Sequence, residues 1–134
     1  LREGPRVEAA GQAELWLDGG HNPAAGEALA KALAAMTDRP LHLICGMLNT
    51  KDITGFMRPL ADVAKDLRAV SIPGEAATLS ADETAAFARG AGLDARTAPD
   101  VGTAIREIVA DDAHARILIC GSLYLAGAIL RENG

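Results

Sequence analysis

An α/β domain, Rossmann-like and three-layered with a mostly parallel sheet, is predicted by three features of the 134-residue sequence. Short apolar runs alternate with helix-period segments from one end to the other. Each gap between runs can hold a crossover helix, which neighbouring parallel strands require. Aromatics make up only 3% of residues against 49% hydrophobic, so the core must be aliphatic and alanine-rich, as in helices packed on a sheet.

The elements follow in order. Glu14–Leu17 reads as the first strand, breaking into Asp18-Gly19-Gly20-His21-Asn22-Pro23. Asn22 is a good N-cap and Pro23 suits the first helical position, so a helix is predicted over Pro23–Met36 with Ala25, Leu29, Leu33 and Met36 on one face. Leu41–Cys45 is the second strand. Ile53–Lys65 is helical but short or broken, because Gly55 and Pro59 interrupt it. Leu67–Ile72 is the third strand, and Pro73–Thr78 the most loop-like interior stretch.

Ser80-Ala81-Asp82-Glu83 forms a capping box for a helix closed by Gly90 and Gly92. Asp94–Thr97 is a weak strand. Asp100 caps a helix over Val101–Ala110, whose Val101, Ala104, Ile105, Ile108 and Val109 make the stripe of a helix lying on a sheet. Ile117–Cys120 is the last strand. The final helix, Leu123–Leu130, is apolar nearly all round and should be covered. Gly4–Gln12 reads as a ragged entry or an additional edge strand.

No internal boundary is needed, so residues 1–134 form a single domain. The formal net charge of −5 argues against nucleic acid or an anionic membrane as partner. No apolar run approaches the ~20 residues that span a bilayer, and Leu1-Arg2-Glu3-Gly4-Pro5 lacks signal-peptide character, so a cytoplasmic protein is expected. Cys45 and Cys120 end buried-strand patterns and read as reduced core thiols, without partners spaced for zinc. His42 and His114 read as structural or solvent-facing. Leu1 in place of an initiator methionine predicts a piece of a longer chain.

In an open α/β sheet, ligands bind outside the carboxyl ends of the strands. Asp18 and His21 follow the first strand, Asn49, Lys51 and Asp52 the second, and Ser122 and Tyr124 the last, so three polar clusters fall on one edge. The helix after Asn22 aims its positive end at Asp18 and His21, a geometry suited to a nucleotide or anionic substrate. Beside that helix end an imidazolium is disfavoured, so His21 is expected as a neutral imidazole contacting substrate or phosphate. Each residue also has a plainer role: Asp18 in a tight turn, Asn22 and Ser122 as caps, Lys51 as a solvated lysine, Tyr124 in packing. The dinucleotide fingerprint and the phosphate loop are both missing, and no carboxylate cluster would hold magnesium alone, so no metal ligand is assigned.

Asp18-Gly19-Gly20-His21-Asn22-Pro23 resembles the Asp-Gly-Ala-His-Asn-Pro signature of the folylpolyglutamate synthase/dihydrofolate synthase family, relatives of the Mur ligases. Gly46-Met47-Leu48-Asn49-Thr50-Lys51-Asp52 resembles that family's Gly…Lys-Asp loop, and Gly121-Ser122-Leu123-Tyr124-Leu125-Ala126-Gly127 its Gly-Ser-Leu-Tyr-Leu-x-Gly segment. All three match the C-terminal domain of that enzyme. The resemblance implies an ATP-dependent ligase that adds L-glutamate to dihydropteroate or folate through an acyl phosphate, monomeric and magnesium-dependent. It assigns Asp18 to the ribose side of ATP, with Asn22 also on the nucleotide side. It assigns His21 to catalysis and substrate contact, and Lys51 and Ser122 to the glutamate.

The same resemblance puts the phosphate loop, magnesium ligands and pterin pocket in an N-terminal domain absent from this chain, which alone is expected to fold but not to ligate. The family's upstream phosphate-binding arginine has no clear match in Arg2 or Arg6 and is expected before Leu1. Gly20 stands where the family usually has alanine, a change expected to loosen the turn without removing a functional group. A Mur ligase domain acting on a cell-wall precursor is the alternative among enzymes, disfavoured by the Gly-Ser-Leu-Tyr-Leu-x-Gly ending. A free-standing, non-catalytic nucleotide- or amino-acid-binding module is the alternative outside them. A purely structural domain leaves the three clusters unexplained.

Overall fold

The computed structural model describes residues 13–48, 52–72, 78–122 and 125. Five strands, β1 (Glu14–Leu17), β2 (Leu41–Cys45), β3 (Asp66–Ala69), β4 (Ala95–Thr97) and β5 (Arg116–Cys120), form one sheet in the order β1-β5-β2-β3-β4. Every pair is parallel. The last strand therefore inserts between the first and the second, with Leu17 and Cys45 level with Ile119 and Cys120 of β5.

Four helices connect them: α1 (Pro23–Ala34), α2 (Ile53–Ala61), α3 (Ala81–Gly90) and α4 (Val101–Asp111). Strand alternation divides the core between two faces. On one face Leu41, Leu43, Cys45, Leu67, Leu118 and Cys120 pack against Leu33 of α1, Phe56, Met57 and Leu60 of α2, and Ala85 and Ala88 of α3. On the other, Ile44, Val70, Ile117 and Ile119 meet Val101, Ala104, Ile105 and Ile108 of α4. The three-layer architecture expected from the sequence is present, and the sheet is parallel throughout its described strands.

The helix ends follow the chemistry of their caps. Asn22, Asp52, Ser80 and Asp100 each accept a hydrogen bond from a backbone N–H in the first turn, at 2.8, 2.8, 3.1 and 2.7 Å. Glu83 closes the capping box by accepting from the Ser80 N–H at 2.9 Å. Gly92, at φ +103°, ends α3. Its N–H reaches the Arg89 carbonyl, and Leu93 N–H reaches Ala88, a Schellman closure.

Three elements end two or more residues earlier than the sequence reading places them, and β4, α4 and β5 shift by one residue at one end. α1 stops at Ala34 rather than Met36, whose carbonyl accepts from Arg116 Nη1 at 3.2 Å. α2 carries Pro59 inside it and ends at Ala61; Asp62 and Val63 N–H turn back to Pro59 and Leu60, and Lys65 N–H donates to Leu41 of β2. β3 runs from Asp66 to Ala69 rather than Leu67 to Ile72; Val70 still donates to Cys45, but Ile72 donates instead to the Thr78 hydroxyl. That hydroxyl also lies 3.2 Å from the Met47 carbonyl, and Leu48 and Thr78 form an antiparallel bridge. The end of the expected loop is thus tied to the extension of β2. Gly4–Gln12 and most of the expected final helix lie outside the described residues, although Leu125 is buried in the core. Among the described residues no helix is long and apolar enough to cross a membrane.

Candidate functional site at the strand ends

At the N-terminal ends of the strands, charges are consumed by one another. Arg116, 4% exposed, donates from Nε to Glu14 at 2.9 Å and from Nη2 to Asp38 at 3.1 Å. The Trp16 and Arg116 hydrogen bonds hold the Glu14 carboxyl below its ordinary value, and that of Arg116 does the same to Asp38. His42 places Nδ1 2.7 Å from Asp66 and Nε2 3.4 Å from Asp112. Burial alone would raise the Asp66 carboxyl; the His42 hydrogen bond and the charges of His42, Arg68 and Arg96 outweigh it and keep it low. Arg68 also donates to Glu107 at 3.0 Å. A groove at this end, lined by Leu33, Met36, Arg39, Leu41, Val63 and Lys65, lies far from the polar segments at the opposite end.

The C-terminal ends are built differently. β5 sits between β1 and β2, so the segments after these three strands are neighbours. Asp18 N–H donates to Ile119 at 3.0 Å and Gly46 N–H to Cys120 at 3.3 Å, carrying the ladder past the strands. The hydrogen bond with Cys45, then burial, push the Cys120 thiol well above its usual value, and the nearby Asp18 charge pushes the same way. Both cysteines are free and buried.

Asp18 is half-buried, and its Oδ1 accepts the Gly20 N–H at 2.7 Å. This is the tight-turn role foreseen for it, and the carboxylate has a second oxygen to offer a ligand. His21 and Asn22 are exposed beside it, and Asn22 Oδ1 caps α1 through Ala25 N–H at 2.8 Å. Helices α1 and α3 differ at their N-termini. The first turn of α3 carries Asp82 and Glu83, whereas that of α1 carries no acidic residue, so the positive end of α1 is not offset by its own side chains.

Ser122 is 2% exposed, directly after Gly121 at the end of β5. Lys51, Asn49 and Tyr124 lie outside the described residues; Asp52, the last of the second cluster, caps α2. The structure thus brings Asp18, His21, Asn22 and Ser122 to one edge, flanked by Gly46 to Leu48. Among the described residues no three His, Cys, Asp or Glu side chains converge to hold a metal.

Two glycines of this edge matter more than the sequence reading allowed. Gly121 has φ +102°, and a Cβ there would lie 2.5 Å from Met47 Sδ and 2.7 Å from Cys45 Sγ. At Gly20 a Cβ would come within 2.6 Å of the Ala25 Cβ and 2.9 Å of Asp18 Oδ1. The Gly121 contacts have no local sequence signal, because Met47 and Cys45 reach Gly121 only through strand pairing.

The family profile described as "Mur ligase, glutamate ligase domain" matches residues 5–123. Three solved structures share the fold. Mycobacterium tuberculosis folylpolyglutamate synthase complexed with ADP is 28% identical at a TM-score of 0.75, over 87% of this chain and 29% of its own. E. coli FolC in complex with DHPP and ADP is 25% identical at 0.73, over 85% and 27%. A bifunctional folylpolyglutamate synthase/dihydrofolate synthase with Mn, AMPPNP and L-glutamate bound is 28% identical at 0.71, over 86% and 28%. The chain therefore spans less than a third of the length of these structures. No curated protein sequence matches it. With the profile covering nearly all of the parallel α/β sheet and its strand-end polar segments, the chain belongs to the Mur ligase, glutamate ligase domain family.

Proposed function

We propose that this chain is the glutamate-side half of an ATP-dependent ligase that joins L-glutamate to dihydropteroate or to a folate. The observation that carries the reading is the meeting of Asp18, His21, Asn22 and Ser122 at the ends of adjacent parallel strands, beside an α1 N-terminus with no acidic residue in its first turn. Family membership supports it, as do ADP, AMPPNP and L-glutamate in the similar structures.

In this reading Asp18 accepts hydrogen bonds from the ribose hydroxyls of ATP. Asn22 keeps α1 aimed at the nucleotide. His21, beside a helix N-terminus, contacts substrate or phosphate during transfer. Lys51 pairs with the carboxylates of the incoming glutamate, and Ser122 helps seat its amino-acid group. The γ-phosphoryl group passes to a substrate carboxylate, giving an acyl phosphate; the glutamate amine attacks that carbonyl, and phosphate leaves. Positioning and electrostatic stabilisation supply most of the acceleration. A larger partner domain of the same enzyme supplies magnesium ligands and the pterin site, so the 134-residue chain alone neither hydrolyses ATP nor ligates glutamate.

Amide chemical-shift mapping of the chain with Mg-ATP, and separately with L-glutamate, tests the reading. Shifts are expected at Gly19–Asn22, 49–52 and 121–124. Shifts confined to the groove at the strand starts, or none even when the chain is joined to its upstream sequence, would sink it.

A further inference from the structure

The crowding at Gly20 separates two reasons why a chain keeps a glycine. Gly20 is not among the positive-φ residues, so its backbone is open to any L-residue. Its neighbours are what exclude a side chain. A Cβ would meet the Ala25 methyl at 2.6 Å and Asp18 Oδ1 at 2.9 Å, but the Ala25 Cα only at 3.9 Å. The obstacle on the helix side is therefore one methyl group.

Helix α1 has little room to retreat. On another side its Gly26 lies against α2, where a Cβ would run into the Phe56 carbonyl oxygen, and its N-terminus is tied to the turn through Asn22 Oδ1 and Ala25 N–H. The group with most freedom to yield is the Asp18 carboxylate, whose Oδ1 holds the Gly20 N–H at 2.7 Å.

We propose that Gly20 and Ala25 are a matched pair of positioning residues that hold the Asp18 carboxylate against the first turn of α1, with room for one methyl group between them and not two. An alanine at position 20 displaces the carboxylate while Ala25 keeps its methyl. With glycine at position 25 the nearest helix atom is an α-carbon at ordinary van der Waals distance, and Asp18 Oδ1 gives way by a few tenths of an ångström. Residue identity at position 25, seven residues along the chain from Asp18, then sets how Asp18 meets its ligand. The consequence for ligand binding rests on the nucleotide role proposed above; the placement of Asp18 does not.

The test is a double-mutant cycle on the 134-residue chain with Gly20→Ala, Ala25→Gly and the two together. Two readouts are taken. The first needs no ligand: the amide proton of residue 20 shifts as the Asp18 carboxylate ionises only while the two are bonded. That titration is expected to vanish in Gly20→Ala and return in the double variant. The second is affinity for Mg-ADP, expected to fall about tenfold in Gly20→Ala and to recover to within about twofold in the double variant.

A Gly20→Ala protein that matches the wild type in the amide readout, or a double variant no better than Gly20→Ala, overturns the proposal. If Gly20→Ala fails to fold, a folded double variant supports the pairing and an unfolded one overturns it. If even the wild type ignores Mg-ADP, both alone and joined to its upstream sequence, while the amide titration follows the expected pattern, the pairing stands and the nucleotide reading of this chain fails.

Discussion

Gly121 combines two constraints that no other residue can satisfy together. Its φ of +102° penalises any side chain, and the space where a Cβ would go is filled by the sulfur atoms of Met47 and Cys45. Gly121→Ala is expected to lower stability by about 2–4 kcal/mol, the sum of backbone strain and overpacking; a urea titration that finds less than half of this would show that the edge is softer than its packing implies. At this scale the sequence was legible where chemistry is local. Asp18 and Asn22 hydrogen-bond two and three residues away, so their roles followed from the motif itself. Arg116 and Asp66 were passed over because their partners come from distant strands, with Glu14 and Arg116 separated by 102 residues.

Helix starts read more easily than strand limits for a related reason. A cap is a short-range hydrogen bond with a definite residue preference, and all four N-caps named in the structure were polar residues marking helix starts in the sequence. Ser80→Ala should cost about 1 kcal/mol in thermal or urea unfolding. Asn22→Ala should cost a similar amount, and it should also shift amides of Gly19 to His21, because that cap belongs to the edge carrying Asp18. An Asn22→Ala spectrum changed only within α1 would remove Asn22 from the site. Strand limits depend on what lies alongside. β3 was expected to run to Ile72, yet the Thr78 hydroxyl takes the Ile72 N–H, a side-chain contact that no alternation pattern encodes.

The whole molecule is polarised along its strands: one end spends its charges on ion pairs, the other keeps them for the candidate site. The acid response follows from the first end. Glu14, Asp38 and Asp66 all titrate below their ordinary values in the folded chain. Their contribution to stability is therefore complete above the unfolded-state values near pH 4 and is lost as pH falls through the lower folded values. Stability should be level across neutral pH on this account and decline below about pH 4; Asp66→Asn should flatten that decline, measured as urea midpoint against pH. A decline unchanged by Asp66→Asn would locate the acid lability elsewhere. The fold class could be read from the sequence, because the alternation of strand and helix follows from chain rhythm. The insertion of β5 between β1 and β2 could not, since all parallel orders share that rhythm.

That insertion has a bearing on how the chain is made. Synthesis runs from the N-terminus, and among the described residues β1 hydrogen-bonds within the sheet to β5 alone, as Glu14–Leu17 against Arg116–Ile119. Until the ribosome has released the last strand, β1 has no neighbour in the sheet and β2 keeps one edge bare, leaving two unpaired strands for wrong partners. A product truncated before Arg116 would lack the strand that joins β1 to the rest of its sheet, and it should be a substrate for chaperones and proteases rather than a smaller version of the domain.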